Sequence, residues 1–322
     1  MTVEINMLLL RLLCFVLLMV GSSAIDDYYC ETLGDARSPA ASRPKPFVTR
    51  SMSSSRTETA SGVKSPRFTD FEEMTPGCNQ RGKCGERRTS AKPDFPVPCF
   101  FESPAFSVED ETYAKIEEAC GDVLDEFIVG EREFCCGEAQ VDLLVDQLTA
   151  AALLFGRCKA CYRNFRIMAC HQACSSRQIH FMKITNTTLS ETPDPEFGDQ
   201  MVVNSHTFLT EDMAVGIVES CLHVPFLFGD AIMAVCSGHG AETCDYLCYF
   251  WNFGDIDAGN VPFNFDYKFL LEGGLQPFDV DYGNGTVVTM TVAPVDTPPI
   301  SCADGLINGE ASRSTSNFFA ER

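Results

Sequence analysis

The chain is short of positive charge: 24 Lys and Arg face 45 Asp and Glu, a formal net charge of -21. A phosphate backbone demands a basic surface, so nucleic-acid binding is excluded. The bland consequence of so acidic a surface is solubility; a basic partner, or service in an acidic compartment, are the other readings it admits. Past residue 24 no apolar run reaches membrane-spanning length, because the most apolar stretch, LHVPFLFGDAIMAV, is broken by His223, Pro225 and Asp230. Neither HExxH nor GxSxG occurs, and His171, His180, His206, His223 and His239 show no metal-ligand spacing. The sequence therefore offers no constellation for catalysis, and neither a cofactor nor a metal is expected. We find no internal repeat.

What is present begins with a leader. Residues 1–24 hold an apolar core, Leu12 to Val20, after Arg11 and end in small residues with Ser22 and Ala24 at cleavage-signature positions. This reads as a secretory signal peptide; an uncleaved anchor is the alternative. Of the 17 cysteines, Cys14 leaves with the leader, and the even remainder enters an oxidising lumen where thiols pair. Residues 25–74 are rich in Ser, Thr, Pro and Arg, a composition that buries no core and predicts disorder. From Cys78 to Cys302 there is chain enough for one large domain, taken as 75–303, and 304–322 read as a polar tail.

Within the domain, SVEDETYAKIEEACGDVLDEF predicts a helix capped by Ser107. GEAQVDLLVDQLTAAALLFG predicts another, with Val141, Leu144, Val145, Leu148, Ala151 and Leu154 on its apolar face. A third runs from Cys158 to Cys174 and a fourth from about Glu211 to Cys221. Alternation of Val261, Phe263, Phe265, Tyr267 and Phe269 with polar residues, together with NGTVVTMTV at 284–292, predicts a small sheet packed on the helices. The fold class is α+β: a disulfide-rich helical core packed against a small β-sheet.

The third helix holds Cys158, Cys161, Cys170 and Cys174. At about 100° per residue the first two share one face and the last two lie nearly opposite, so they cannot chelate one zinc ion without breaking the helix. A thioredoxin-like reading of Cys158-Lys-Ala-Cys161 requires a preceding strand, and an amphipathic helix precedes it instead. Each pair of cysteines facing a different neighbour is the remaining reading. The doublet Cys135-Cys136 agrees with it. Adjacent Cα atoms lie about 3.8 Å apart, under the roughly 4.4 Å usual for a disulfide, so the two must reach different partners.

The order Cys78-x5-Cys84-Gly, Cys99, Cys120, Cys135-Cys136, Cys158-x2-Cys161-x8-Cys170-x3-Cys174, with RCKACYRNF, ACHQACSSRQIHF and GNVPFNF, resembles the N-terminal luminal domain of the Niemann-Pick C-type sterol transporters. The resemblance covers about residues 75–302. It implies the pairs Cys78-Cys135, Cys84-Cys99, Cys120-Cys170, Cys136-Cys174, Cys161-Cys221, Cys236-Cys244 and Cys158-Cys302, and leaves Cys30 and Cys248 to pair with each other or stay free. It also implies a pocket for one sterol, its hydroxyl buried and its tail near the surface, in the lumen of the secretory pathway: endosome, lysosome or outside the cell. Family members continue into membrane helices, so a membrane enters only through such a downstream portion.

By the same resemblance Gln140 takes the place of the hydroxyl-binding glutamine, with Leu144 and Asn164 at matching positions. Asn260, Pro262, Phe263 and Phe265 fall on the strand entering the pocket mouth. Ala234 and Val235 fall where the family receives sterol from a small soluble luminal carrier. Two departures stand out: Pro98 replaces a second hydroxyl-binding amide and has no side-chain hydrogen bond to offer, and Lys83 stands where the family is acidic. The segment between Cys84 and Cys99 is also longer than usual. Burial contributes about 0.8 kcal/mol per methylene against roughly 1 kcal/mol for a net hydrogen bond. The rings of such a ligand therefore set affinity, and its hydroxyl sets orientation. Asn186-Thr-Thr and Asn284-Gly-Thr are N-glycosylation sequons. The function expected is luminal sterol binding and transfer; a cysteine-rich interaction domain binding a vitamin or a protein is the alternative.

Overall fold

The structure, a computed structural model, describes residues 75–87, 95–126, 132–226, 229–236, 243–283 and 285–302. The leader, the segment to residue 74, the tail, Cys30, Asn284 and residues 88–94 lie outside them. Strands β1 (Cys78–Arg87) and β2 (Phe95–Ser103) open the domain as an antiparallel pair. A two-residue strand β3 (Phe106–Ser107) pairs with β4 (Glu133–Phe134), on either side of helix α1 (Asp110–Cys120) and a 3-10 turn at Gly121–Glu126. Then come α2 (Glu138–Phe155), α3 (Lys159–Cys174) and the single turn α4 (Gln178–Phe181).

A long hairpin follows, β5 (Met182–Asp194) and β6 (Gly198–Thr210), leading into α5 (Glu211–Cys221). After the short pair β7 (Pro225–Phe226) and β8 (Gly229–Asp230) come α6 (Tyr246–Gly254), β9 (Asn264–Leu270), and the antiparallel pair β10 (Gln276–Asp281) and β11 (Val287–Val292). The main sheet runs β1-β2-β6-β5, and β9 joins it parallel to the C-terminal half of β6. The class is α+β, disulfide-rich, with helices on one sheet.

Three sequence expectations shift. Ser107 does not cap α1: its backbone pairs with Glu133, and Glu109 occupies the cap without a side-chain bond. The tie between β3 and β4, held beside the Cys135 disulfide, decides where the helix begins. Of the 284–292 segment, Val287–Val292 does not pair with the strand containing Phe265 but forms its own two-stranded ribbon with β10, packed on Phe208 through Val280 and Val292. The sheet is also larger than the sequence suggested, because β5 and β6 carry polar residues on a half-exposed surface and lack an apolar alternation along their length.

Helix α3 is the centre. It buries eleven of its sixteen residues, far more than an amphipathic surface helix would. Disulfides leave it in several directions: Cys161 to Cys221 on α5, Cys170 to Cys120 on α1, Cys174 to Cys136, and Cys158, at its N-cap, to Cys302. The doublet divides as adjacency requires, Cys135 to Cys78 and Cys136 to Cys174. Cys84 joins Cys99 across β1 and β2, and Cys236 joins Cys244. Cys248 is also disulfide-bonded, to a residue outside those described.

Helix α2 buries Val141, Leu144, Leu148 and Ala151 as its periodicity predicts, but Leu143 and Phe155 are buried as well, while Val145 and Leu154 are only half so. The helix is covered on two sides: α1 and α3 take one, and the segment leading into β9 approaches the other. At that approach two glycines are required. Gly259 has φ +79°, a left-handed conformation that ends the turn Ile256–Ala258. A Cβ on Gly254 would stand 2.2 Å from the Phe265 carbonyl oxygen.

Candidate functional site

Among the described residues, one mostly apolar cleft opens between α2, α3 and the segment 261–265, with β1 and β2 at its side. From α2 it receives Ala139, Gln140, Leu143, Leu144 and Gln147, a set at three- and four-residue steps that lies along one helix face. Helix α3 contributes Phe165, Ala169, Gln172 and Ala173 by the same periodicity. Phe253 from α6 and Val261, Pro262, Phe263 and Phe265 from the chain entering β9 close the opposite wall. Gln80, Pro96 and Pro98 complete the lining.

The structure thus brings Gln140, Leu144, Pro262, Phe263 and Phe265 together. Asn260 takes part through its backbone, its carbonyl accepting from Gln147 Nε2 at 2.9 Å. Three expected residues lie elsewhere. Asn164 is 1 % exposed and donates to Ser220 Oγ at 3.0 Å while its amide both donates to and accepts from the Ile300 backbone, so it ties the C-terminal strap to α3 and α5. Ala234 and Val235 sit at the turn after β8, where Val235 is buried and the adjacent Met233 is the exposed side chain.

Gln140 does not face solvent. Its Oε1 accepts from the Gly137 backbone N–H at 3.0 Å, which caps α2, and its Nε2 donates to the Gly82 carbonyl. It therefore fixes the start of α2 to the bend of β1, and one N–H and one lone pair remain for a ligand. Gln172 donates through Nε2 to the Tyr267 hydroxyl at 2.7 Å, and burial holds that phenol un-ionised despite the bond from Gln172. Lys83 pairs with Glu86 on the exposed side of β1, away from the lining.

Gln80, Leu143, Gln147 and Gln172 are lining residues that the sequence did not mark out. Leu143 and Gln147 lie beside the apolar stripe drawn through Val141 and Leu148, and only the approach of residues 260–263 covers them. No sequence signal identifies Gln80, since its place follows from the pairing of β1 with β2.

The cleft encloses about 60 Å³. That is room for a few waters, and well below the roughly 300–1,000 Å³ of a pocket for a drug-sized ligand. A larger guest requires the walls to part, and the Gln147 bond to Asn260 is the polar tie across the mouth. Asn186, the sequon residue within the described chain, is exposed on β5. Among the described residues no group of three or more His, Cys, Asp or Glu is arranged to hold a metal, and no helix is long and apolar enough to cross a membrane.

Two titratable groups near the sheet matter for behaviour in acid. Burial alone would push the Asp266 carboxyl up, but the hydrogen bond from His206 and the charge of Lys268 hold it down to about 2. His171, buried on α3 against Phe181, is lowered to about 3 by burial, with Arg177 adding to the effect. The unfolded chain protonates this imidazole near pH 6.5 and the folded one does not, so stability falls as pH drops from 6.5 towards 3. Between pH 7 and pH 5 the loss from His171 is on the order of 2 kcal/mol. Asp266 contributes nothing there, because its stabilisation is lost only as pH falls from about 4 through 2. Urea unfolding at pH 7, 6 and 5 should show this slope, and His171→Gln should flatten most of it.

Comparison with known proteins places these features. A family profile described as Niemann-Pick C1 N terminus matches residues 75–310. NPC intracellular cholesterol transporter 1 homolog 1 of Caenorhabditis elegans is 28% identical over 211 residues, 62% of this chain and 14% of that protein. NPC intracellular cholesterol transporter 1 of Sus scrofa is 25% identical over 231 residues, 70% of this chain and 17% of that protein. The chain therefore aligns with only about a seventh to a sixth of the length of these relatives.

Proposed function

The chain belongs to the Niemann-Pick C1 N-terminal family, and from that premise we propose that its domain binds one sterol in the cleft between α2 and the 261–265 segment and passes it on. The observation that carries this reading is the convergence of Gln140, Leu144, Pro262, Phe263 and Phe265, distant in sequence, on one apolar cleft. An apolar lining with few amides suits a rigid hydrocarbon bearing a single hydroxyl, since ring burial supplies affinity and the amide selects which end enters. The activity is binding and transfer without chemistry on the ligand. The disulfide framework fits the lumen of the secretory pathway, in endosome or lysosome or outside the cell.

Uptake requires the mouth to open. Loss of the tie between Gln147 and Asn260 and withdrawal of the Pro262–Phe263 wall from α2 widens the cleft without disturbing α3, which its disulfides hold. Delivery from a small soluble carrier would use the surface around Met233 and Ala234, with Val235 supporting it from inside.

Saturable binding of radiolabelled cholesterol to the purified domain is the test. Gln140→Ala should weaken it by about tenfold, because a buried hydroxyl that loses a partner costs roughly 1–3 kcal/mol and 1.4 kcal/mol is a factor of ten. No saturable binding by the wild type overturns the reading. The small enclosed volume favours a second one in that event, an interaction domain for a vitamin or a protein built on the same crosslinked scaffold.

A further inference from the structure

Gln80 lies on β1 opposite Phe100 of β2, one residue along from the Arg81 and Cys99 pair. Both Gln80 and Pro98 line the cleft. The Gln80 side chain is 4% exposed, and its Nε2 donates to the Gln172 carbonyl oxygen at 3.4 Å. That same carbonyl accepts from Gln178 Nε2 at 2.9 Å. Facing a carbonyl, the amide must present its NH₂ group, which fixes the orientation of the side chain and turns Oε1 the other way. Gln80 Oε1 is buried and has no hydrogen-bond partner among the described residues. A buried acceptor left unpaired is costly, and most such groups in folded proteins are satisfied.

We propose that Gln80 Oε1 is the acceptor for a ligand hydroxyl in this cleft, supplying from β1 the amide that Pro98 cannot supply from β2, and that it makes the site selective for a free alcohol. The inference rests on the sterol-binding reading above. With the Gln80 NH₂ turned to the Gln172 carbonyl, the atom left without a partner is Oε1, and an amide oxygen only accepts. A hydroxyl satisfies it by donating its proton. A ketone or an ester oxygen only accepts, so it meets a lone pair with a lone pair. Gln140 differs in that its Oε1 already accepts from the Gly137 N–H, while its Nε2 keeps an N–H beyond the bond to Gly82. The two amides together describe a clamp in which Gln140 donates to the hydroxyl oxygen while Gln80 receives the hydroxyl proton.

The experiment measures equilibrium binding of cholesterol, of cholest-4-en-3-one, in which a ketone replaces the hydroxyl, and of cholesteryl acetate. It uses the wild type, Gln80→Met and Gln80→Asn. The wild type should favour the alcohol over the ketone by about tenfold or more, and over the acetate by at least as much. Gln80→Met should lower cholesterol affinity and bring the alcohol-to-ketone ratio close to one. Gln80→Asn, which keeps an acceptor one methylene further back, should fall between them. A merely structural role for Gln80 would weaken all three ligands together and leave the ratio unchanged, which overturns the proposal. Equal binding of alcohol and ketone by the wild type overturns it without any variant, while the sterol reading survives. Failure of every sterol to bind overturns both.

Discussion

Phe250→Ala is expected to destabilise the domain by about 3–5 kcal/mol, the cost typical of emptying a fully buried aromatic site. Phe250 is completely buried on α6, with ring centroids 5.1 Å from Tyr249, 4.8 Å from Tyr267 and 5.5 Å from Phe269. Two of those rings belong to β9, so the cluster sets the distance between α6 and the strand whose approach forms the wall of the cleft. Chemical denaturation monitored by far-ultraviolet circular dichroism checks the value. Phe250→Leu, which keeps most of the volume, should cost less than half as much. A loss under about 1 kcal/mol for the alanine variant would mean that the cluster collapses freely and does not position β9.

The second large effect concerns α3. Replacing Cys120 and Cys170 together by alanine removes a link across 50 residues of sequence, which the chain-entropy model values at about 4 kcal/mol. The loss should be smaller, about 2–4 kcal/mol, because the Cys136-Cys174 and Cys78-Cys135 bridges already restrict the unfolded chain around the same segment. Thermal unfolding of the double variant against the wild type measures it. Removing Cys136 and Cys174 as well should cost more than twice the single bridge if the remaining links share the constraint. Strict additivity would show that the bridges act independently. On the proposed sterol-binding function, cholesterol affinity should fall in step, since Phe165, Ala169, Gln172 and Ala173 line the cleft from α3.

The acid response of His171 and the alcohol selectivity of Gln80 are smaller effects with sharper readouts. The first concerns a domain for which an acidic compartment is proposed. On that reading the interior histidine makes the fold less stable where it works, and the disulfides provide the margin.

Much of this was legible in the sequence. The doublet Cys135-Cys136 had to reach two partners because neighbouring Cα atoms are too close to share a bridge, and it does. Helical geometry sent Cys161 and Cys170 to different neighbours, α5 and α1. The 3.6-residue period located α2, α3 and α5 to within a residue or two. These are local properties of the chain, fixed by bond lengths and by the turn of a helix, so a sequence determines them.

Other features depend on which strand lies beside which, and a sequence does not carry that. The start of α1 moved because Ser107 is claimed by pairing with Glu133, 26 residues away. Asn164 looked like a pocket residue and is a strap anchor, because Ile300 returns to it from the far end of the domain. Gln80 was unremarkable between Cys78 and Cys84 until β1 paired with β2 and Gln172 took its amide N–H. Registry and burial arise from contacts between distant segments, where packing outweighs local preference. The sequence determined the scaffold and the helix faces; the tertiary structure alone decided which amides meet in the cleft and which oxygen among them was left to find a partner.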